Sequence, residues 1–140
     1  MKLGGERVFV DTGAFVALAE RRDPDHERAR SVWETMTRSR ARLCTSVLVL
    51  AETFTFIDRR GSREAALRWR ESLSTGPTIE ILDCTAAHIE RAWSWLHKKE
   101  FHKLGIVDAC SFVLMQERKV RVAFAFESHF AIAGFRYAHE

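Results

Sequence analysis

The segment Arg7-Val8-Phe9-Val10-Asp11-Thr12-Gly13 runs through a short β-branched and aromatic stretch and stops at a carboxylate, a hydroxyl and a glycine. An apolar run of that length, bounded by polar residues, predicts a buried strand in the middle of a sheet. Its abrupt end puts Asp11 at the carboxyl rim, and in an open parallel sheet that rim is where ligands bind. Asp11 also suits the N-cap of a helix. Helical spacing begins at once, since Phe15, Leu18 and Ala19 share a face before Arg21-Arg22-Asp23-Pro24 breaks the pattern.

The rest of the chain repeats this alternation. A helix from about Asp25 places Ala29, Val32, Trp33 and Met36 on one side, with Trp33 read as core. Leu43-Cys44-Thr45 is a short strand, and Ser46 caps a helix running from Val47 to about Asp58. After the turn Arg59-Arg60-Gly61-Ser62, an amphipathic helix to Leu73 carries Ala66, Leu67 and Trp69 inward. Residues 78–83 alternate as a strand, and a helix from about Thr85 follows with Ile89, Ala92, Trp93 and Leu96 on its apolar face. Residues 97–103 form a charged connection to a mostly apolar helix over 104–115. Arg121 to Phe126 is a strand, and the piece from Ile132 to Tyr137 adds an edge strand. Strands separated by helices in this order predict an α/β fold, a mainly parallel sheet covered on both faces, within a single domain over residues 1–140.

Charge constrains partners only loosely. Lys and Arg number 22 against 19 Asp and Glu, which permits contact with a polyanion without requiring it. Cys44, Cys84 and Cys110 stand far apart with no CxxC pair, so neither a disulfide framework nor a zinc knuckle is indicated. No apolar run reaches membrane-span length, and Met1 to Arg7, which include Gly4, Gly5 and Glu6, are followed by too few apolar residues for a signal peptide, so the reading is a cytoplasmic protein without a membrane partner.

The chemistry lies where acids interrupt apolar runs. Asp11 and Glu127 follow apolar strands. Glu52 stands in a helix with Leu48, Val49, Thr55 and Phe56 on its face, and Asp108 shares a face with Ser111, Phe112 and Met115. A carboxylate in apolar surroundings is costly to keep ionised unless it gains a proton, a base or a metal ion. None of Asp11, Glu52 and Asp108 has a base at helical spacing, although Glu52 paired with Arg59 and a capping Asp108 are the structural alternatives. A fold that gathers these acids would concentrate negative charge in one cleft. With oxygen donors and neither His nor Cys at ligand spacing, the matching ions are Mg2+ and Mn2+. Such an ion activates water and neutralises charge developing on a phosphodiester, which implies phosphodiester hydrolysis.

Val10-Asp11-Thr12, Leu50-Ala51-Glu52, Val107-Asp108-Ala109 and Glu127-Ser128-His129-Phe130, in this order and these settings, resemble the PIN domain family, and in particular its VapC-like toxins. The likeness spans almost the whole chain. It implies a three-layer α/β/α sandwich whose acids hold Mg2+ or Mn2+ for endoribonuclease cleavage of RNA, a cognate antitoxin that blocks the site, and a homodimer. By position, Asp11, Glu52 and Asp108 are the principal acids, Glu127 is the fourth, and Thr12 supports the metal site.

The fourth motif departs from the family pattern. A Thr or Ser usually stands two residues before an Asp there, whereas this chain has Ala125 and Glu127. The lost hydroxyl and the added methylene are expected to alter metal binding or water positioning. His129 keeps the family pattern and is read as structural or surface. Arg21, Arg22, Lys98, Lys99 and Lys103 are candidate substrate contacts, and Trp69 and Phe54 are read as core before interface. Rival functions are a DNA-directed nuclease and a catalytically silent RNA- or protein-binding module. A phospho-acceptor receiver domain would need an early acidic pair, a mid-chain strand-end Asp and a later strand-end Lys, which the sequence does not supply together.

Overall fold

The structure, a computed structural model, describes residues 3–140. Its first strand, β1 (Arg7–Val10), is followed by helices α1 (Thr12–Ala19) and α2 (His26–Arg38). Strand β2 (Arg42–Ser46) leads into α3 (Val47–Arg60) and α4 (Arg63–Thr75). Then come β3 (Ile79–Leu82), α5 (Ala86–Leu96), a 3-10 turn at Lys99–Phe101, α6 (Ile106–Glu117), β4 (Val122–Phe124), α7 (His129–Ile132) and β5 (Arg136–Tyr137).

The sheet is parallel throughout, in the order β3-β2-β1-β4-β5. The chain moves outward from β1 through β2 to β3, then crosses to β4 and moves outward on the other side. Right-handed crossovers therefore put α1 to α4 on one face and α5 to α7 on the other. Ring contacts mark both helical layers: Phe15 of α1 meets Trp69 of α4 at 5.5 Å, and Phe112 of α6 meets Trp95 of α5 at 5.1 Å and Phe130 of α7 at 5.0 Å. The α/β/α sandwich predicted from the alternation is formed.

Local chemistry fixes the helix starts. Ser46 Oγ accepts the Val49 N–H at 3.1 Å, Ser62 Oγ accepts the Ala65 N–H at 3.0 Å, and Thr85 and His88 form a reciprocal capping box. Central strand β1 is buried along Val8, Phe9 and Val10, as its unbroken apolar run requires.

Several expectations need correction. Leu67 and Trp93 are 49% and 44% exposed instead of facing inward, because Ala66 and Ala92 beside them already seat their helices on the core. Edge strand β3 does not alternate, since Glu80 and Ile81 are both exposed where no further strand covers it. Of the piece 132–137, only Arg136 and Tyr137 pair with β4, while Ile132 closes α7. The connection 97–103 is charged but not wholly solvated: Phe101 is buried against Trp95 and Phe112. Trp69 is core, as predicted, and Trp33 is half-buried with its ring 6.4 Å from that of Phe124. The three cysteines are free.

Candidate active site

Between β1 and β4 the strand order reverses. The carboxyl end of β1 hands the chain to α1 on one face, and that of β4 hands it to α7 on the other, so the helices part and leave a crevice at the rim. The Asp11 N–H still bonds the Phe124 carbonyl at 3.0 Å, which sets Asp11 beside the segment Ala125 to Glu127. The early strand-end acid and the late one thus become neighbours.

Asp11 stands at the N-cap position of α1, yet its side chain makes no capping bond. The residue is buried, and its Oδ1 has no hydrogen-bond partner among the described residues. Burial pushes its carboxyl well above the ordinary range, and the charges of Asp108, Glu127 and Glu52 push the same way against the Thr12 backbone N–H. Asp108 lies in the first turn of α6, whose N-cap is Gly105. Its carboxyl is raised to about 7 by burial, then by Glu127 and Glu52, opposed by a hydrogen bond with Asp11. Four acids remote in sequence therefore act on one another across a single crevice.

Glu127 is held from one side. Its Oε2 accepts the His129 backbone N–H at 2.9 Å and lies 2.7 Å from His129 Nδ1, while its Oε1 is buried without a partner. Asp108, Glu127 and His129 each offer a donor atom within 4.8 Å of the others. This corrects the reading that no histidine lies at ligand spacing. The signal was an acid and a histidine two residues apart, a spacing that a helix does not put on one face but an extended segment or a turn does, and here the turn into α7 brings them together.

Glu52 reaches the cluster differently. It is exposed, not embedded, because the buried stripe of α3 is Val49, Thr53 and Ile57. Leu48, Thr55 and Phe56 instead line an open cleft with Glu52, Arg59 and Val107. The Thr12 hydroxyl donates to Glu52 Oε1 at 2.7 Å, tying α3 to the start of α1. Arg59 makes no ion pair among the described residues.

Arg21, Arg22, Lys98, Lys99 and Lys103 are all exposed, and none enters an ion pair among the described residues. The lysine-bearing connection is anchored beside the acids, since the Phe101 ring lies 5.9 Å from that of His129. Phe54 is half-buried on the core, with the Arg63 guanidinium 5.9 Å from its ring. A separate cavity of about 400 Å³, lined by Phe15, Trp33, Trp69 and Leu73 among others, contains none of the four acids. Its lining is mainly apolar, with Glu20 as its single carboxylate, so it gathers no cluster of acids.

The profile of the PIN domain matches residues 8–136. The chain is a PIN domain. This PIN domain is 35% identical over 129 residues to the 23S rRNA-specific endonuclease VapC20 of Mycobacterium tuberculosis, covering 91% of this chain and 95% of that protein. It is 31% identical over 114 residues to Ribonuclease VapC26 of the same organism, covering 81% and 82%. The crystal structure of M. tuberculosis VapC20, described as a Sarcin-Ricin loop cleaving toxin, superposes with a TM-score of 0.80 at 31% identity, over 91% of this chain and 95% of that one. The DNA-bound VapBC structure from Salmonella typhimurium shares the fold, with a TM-score of 0.62 at 21% identity over 94% and 96% of the chains. The family and fold implied by the four short motifs are those of this chain. No helix among the described residues is long and apolar enough to cross a membrane.

Proposed function

We propose that this chain is a VapC-like toxin acting as a divalent-metal-dependent endoribonuclease, with Asp11, Asp108, Glu127 and Glu52 as the acids that hold Mg2+ or Mn2+. The observation that carries this reading is the pair of buried, unpartnered oxygens, Asp11 Oδ1 and Glu127 Oε1, inside a crevice of mutually repelling carboxylates. Such a set suits a cation, and carboxylate oxygens with one imidazole nearby fit Mg2+ or Mn2+.

When bound, that ion supplies Lewis acidity toward a phosphodiester and lowers the pKa of water. The protein does the rest. Asp11, fixed by burial and by its backbone bond to β4, gives the crevice a rigid floor. The Thr12 hydroxyl orients Glu52 from the open side. The lysines of residues 97–103 meet RNA phosphates beside the acids. Ribosomal RNA is the substrate class favoured by the likeness to VapC20, whose name gives it 23S rRNA. We further propose a cognate antitoxin, a homodimer, a single domain over 1–140 and action in the cytoplasm.

The test is cleavage of a panel of structured RNAs, including a sarcin–ricin stem-loop, with Mn2+ or Mg2+, alongside chelator and Asp108→Asn. Metal-dependent cuts that vanish in both controls are the expected result. Cleavage unchanged in Asp108→Asn would remove the acidic site from the reaction, and preferential cutting of matched DNA would reassign the substrate. RNA binding without turnover would favour a silent binding module.

A further inference from the structure

The departure at residues 125–127 has a structural counterpart within the chain. Ala125 is buried and carries no hydroxyl for the acid that follows it. Glu127 has one more rotatable bond than an Asp, so its carboxylate needs support from elsewhere. His129 provides it twice, through its backbone N–H at 2.9 Å and its Nδ1 at 2.7 Å, both to Oε2. A carboxylate oxygen so close to Nδ1 places the imidazole proton on that nitrogen. Oε1 is thereby the oxygen of Glu127 left to face the cluster, and it is buried without a partner.

The clamp is itself braced. The His129 ring lies 5.9 Å from that of Phe101, and the next residue, Phe130, is fully buried with its ring 5.0 Å from that of Phe112. Tyr137 closes the turn from behind: its hydroxyl donates to the Glu127 carbonyl at 2.5 Å and accepts the Ala131 N–H at 3.1 Å. Backbone and side chain of Glu127 are both fixed by groups outside the acid cluster.

We propose that His129 is a positioning residue of the metal site, holding Glu127 so that Oε1 serves the ion. The inference rests on the divalent-metal reading above. Hydrogen-bonding partners of metal-ligating groups commonly set affinity by about 10–100-fold, and that is the loss expected when the clamp is removed.

Two variants separate the possible roles. His129→Phe keeps a ring against Phe101 but has no side-chain donor; His129→Asn lacks the ring but keeps an N–H near the position of Nδ1. Mn2+ affinity is read by calorimetry or by the electron paramagnetic resonance signal of free Mn2+, with a thermal melt of each metal-free protein as the folding control. Positioning predicts Mn2+ binding weakened by about 10–100-fold in His129→Phe and kept within a few-fold of wild type in His129→Asn. Equal weakening in both would mean direct ligation by the imidazole and would overturn the proposal, as would wild-type affinity in His129→Phe. Loss in His129→Asn alone would reduce His129 to packing. Absence of Mn2+ binding by the wild type would defeat the metal reading itself, a different failure from variants that bind like the wild type.

Discussion

Asp108 shows how a single residue carries both the chemistry and a stability cost. In the metal-free chain its carboxyl keeps a proton up to about 7, whereas in the unfolded chain it releases it near 3.8. Between those values the folded state binds more protons, so stability falls as pH rises from about 4 to about 7. Asp11, raised by burial and by the same neighbours, contributes with the same sign. Melting temperatures in chelator should therefore be lower at pH 7.5 than at pH 5. Asp108→Asn should flatten that dependence, because an amide cannot ionise. Adding Mn2+ at pH 7.5 should raise the wild-type melting temperature by mass action and do little for Asp108→Asn. A wild-type profile that rises with pH would contradict this account of the crevice.

At the scale of elements, what matters is how each segment is aimed. Helix α3 starts where Ser46 Oγ accepts the Val49 N–H, and that start sets the register of Glu52 toward Thr12. Ser46→Ala should cost about 1 kcal/mol in denaturant unfolding, and it should weaken cleavage less than removal of any acid, because the Thr12 bond still orients Glu52. The connection 97–103 is aimed by Phe101, which is buried while the lysines around it stay exposed. Replacing Lys98, Lys99 and Lys103 together by Ala should weaken binding of a single-stranded RNA in chelator. Plotted against the logarithm of salt concentration, the slope of log affinity should become shallower by about 0.7 for each phosphate that the lysines no longer neutralise. An unchanged slope would take these lysines off the substrate path.

For the whole molecule, the site exists because the sheet reverses its winding between β1 and β4. The helical layer behind β4 must hold, and Phe112 is its hub: fully buried, its ring lies 5.0 to 5.9 Å from those of Trp95, Phe101, Phe130 and Phe135. Phe112→Ala should cost about 3–5 kcal/mol in chemical denaturation. Part of that loss should appear as weaker Mn2+ binding in the still-folded fraction, since Phe101 and Phe130 brace the turn that carries Glu127 and His129. Wild-type stability in this variant would mean that the aromatic cluster is not a structural unit.

The alternation of apolar runs with helical spacing was sufficient for the α/β class, because strand and helix periods are properties of consecutive residues. The strand-end positions of Asp11 and Glu127 were legible for the same reason, and so was Asp108 as an acid interrupting an apolar helix. Glu52 was legible only in part: its helix was plain, but not which face of that helix met the core, and the face proved to be the one through Val49, Thr53 and Ile57. Leu67 and Trp93 were misplaced inward likewise, since periodicity names an apolar stripe without saying how much of it neighbouring elements cover. Phe101 was hidden in a run of charges because one buried residue leaves no period. Tertiary structure alone decided that Glu127 and His129 share a turn, that Asp11 leaves an oxygen without a partner, and that Thr12 rather than Arg59 meets Glu52. Those are distances between segments far apart in the chain or across an irregular turn, and they depend on strand order and crossover hand, which local residue patterns do not encode.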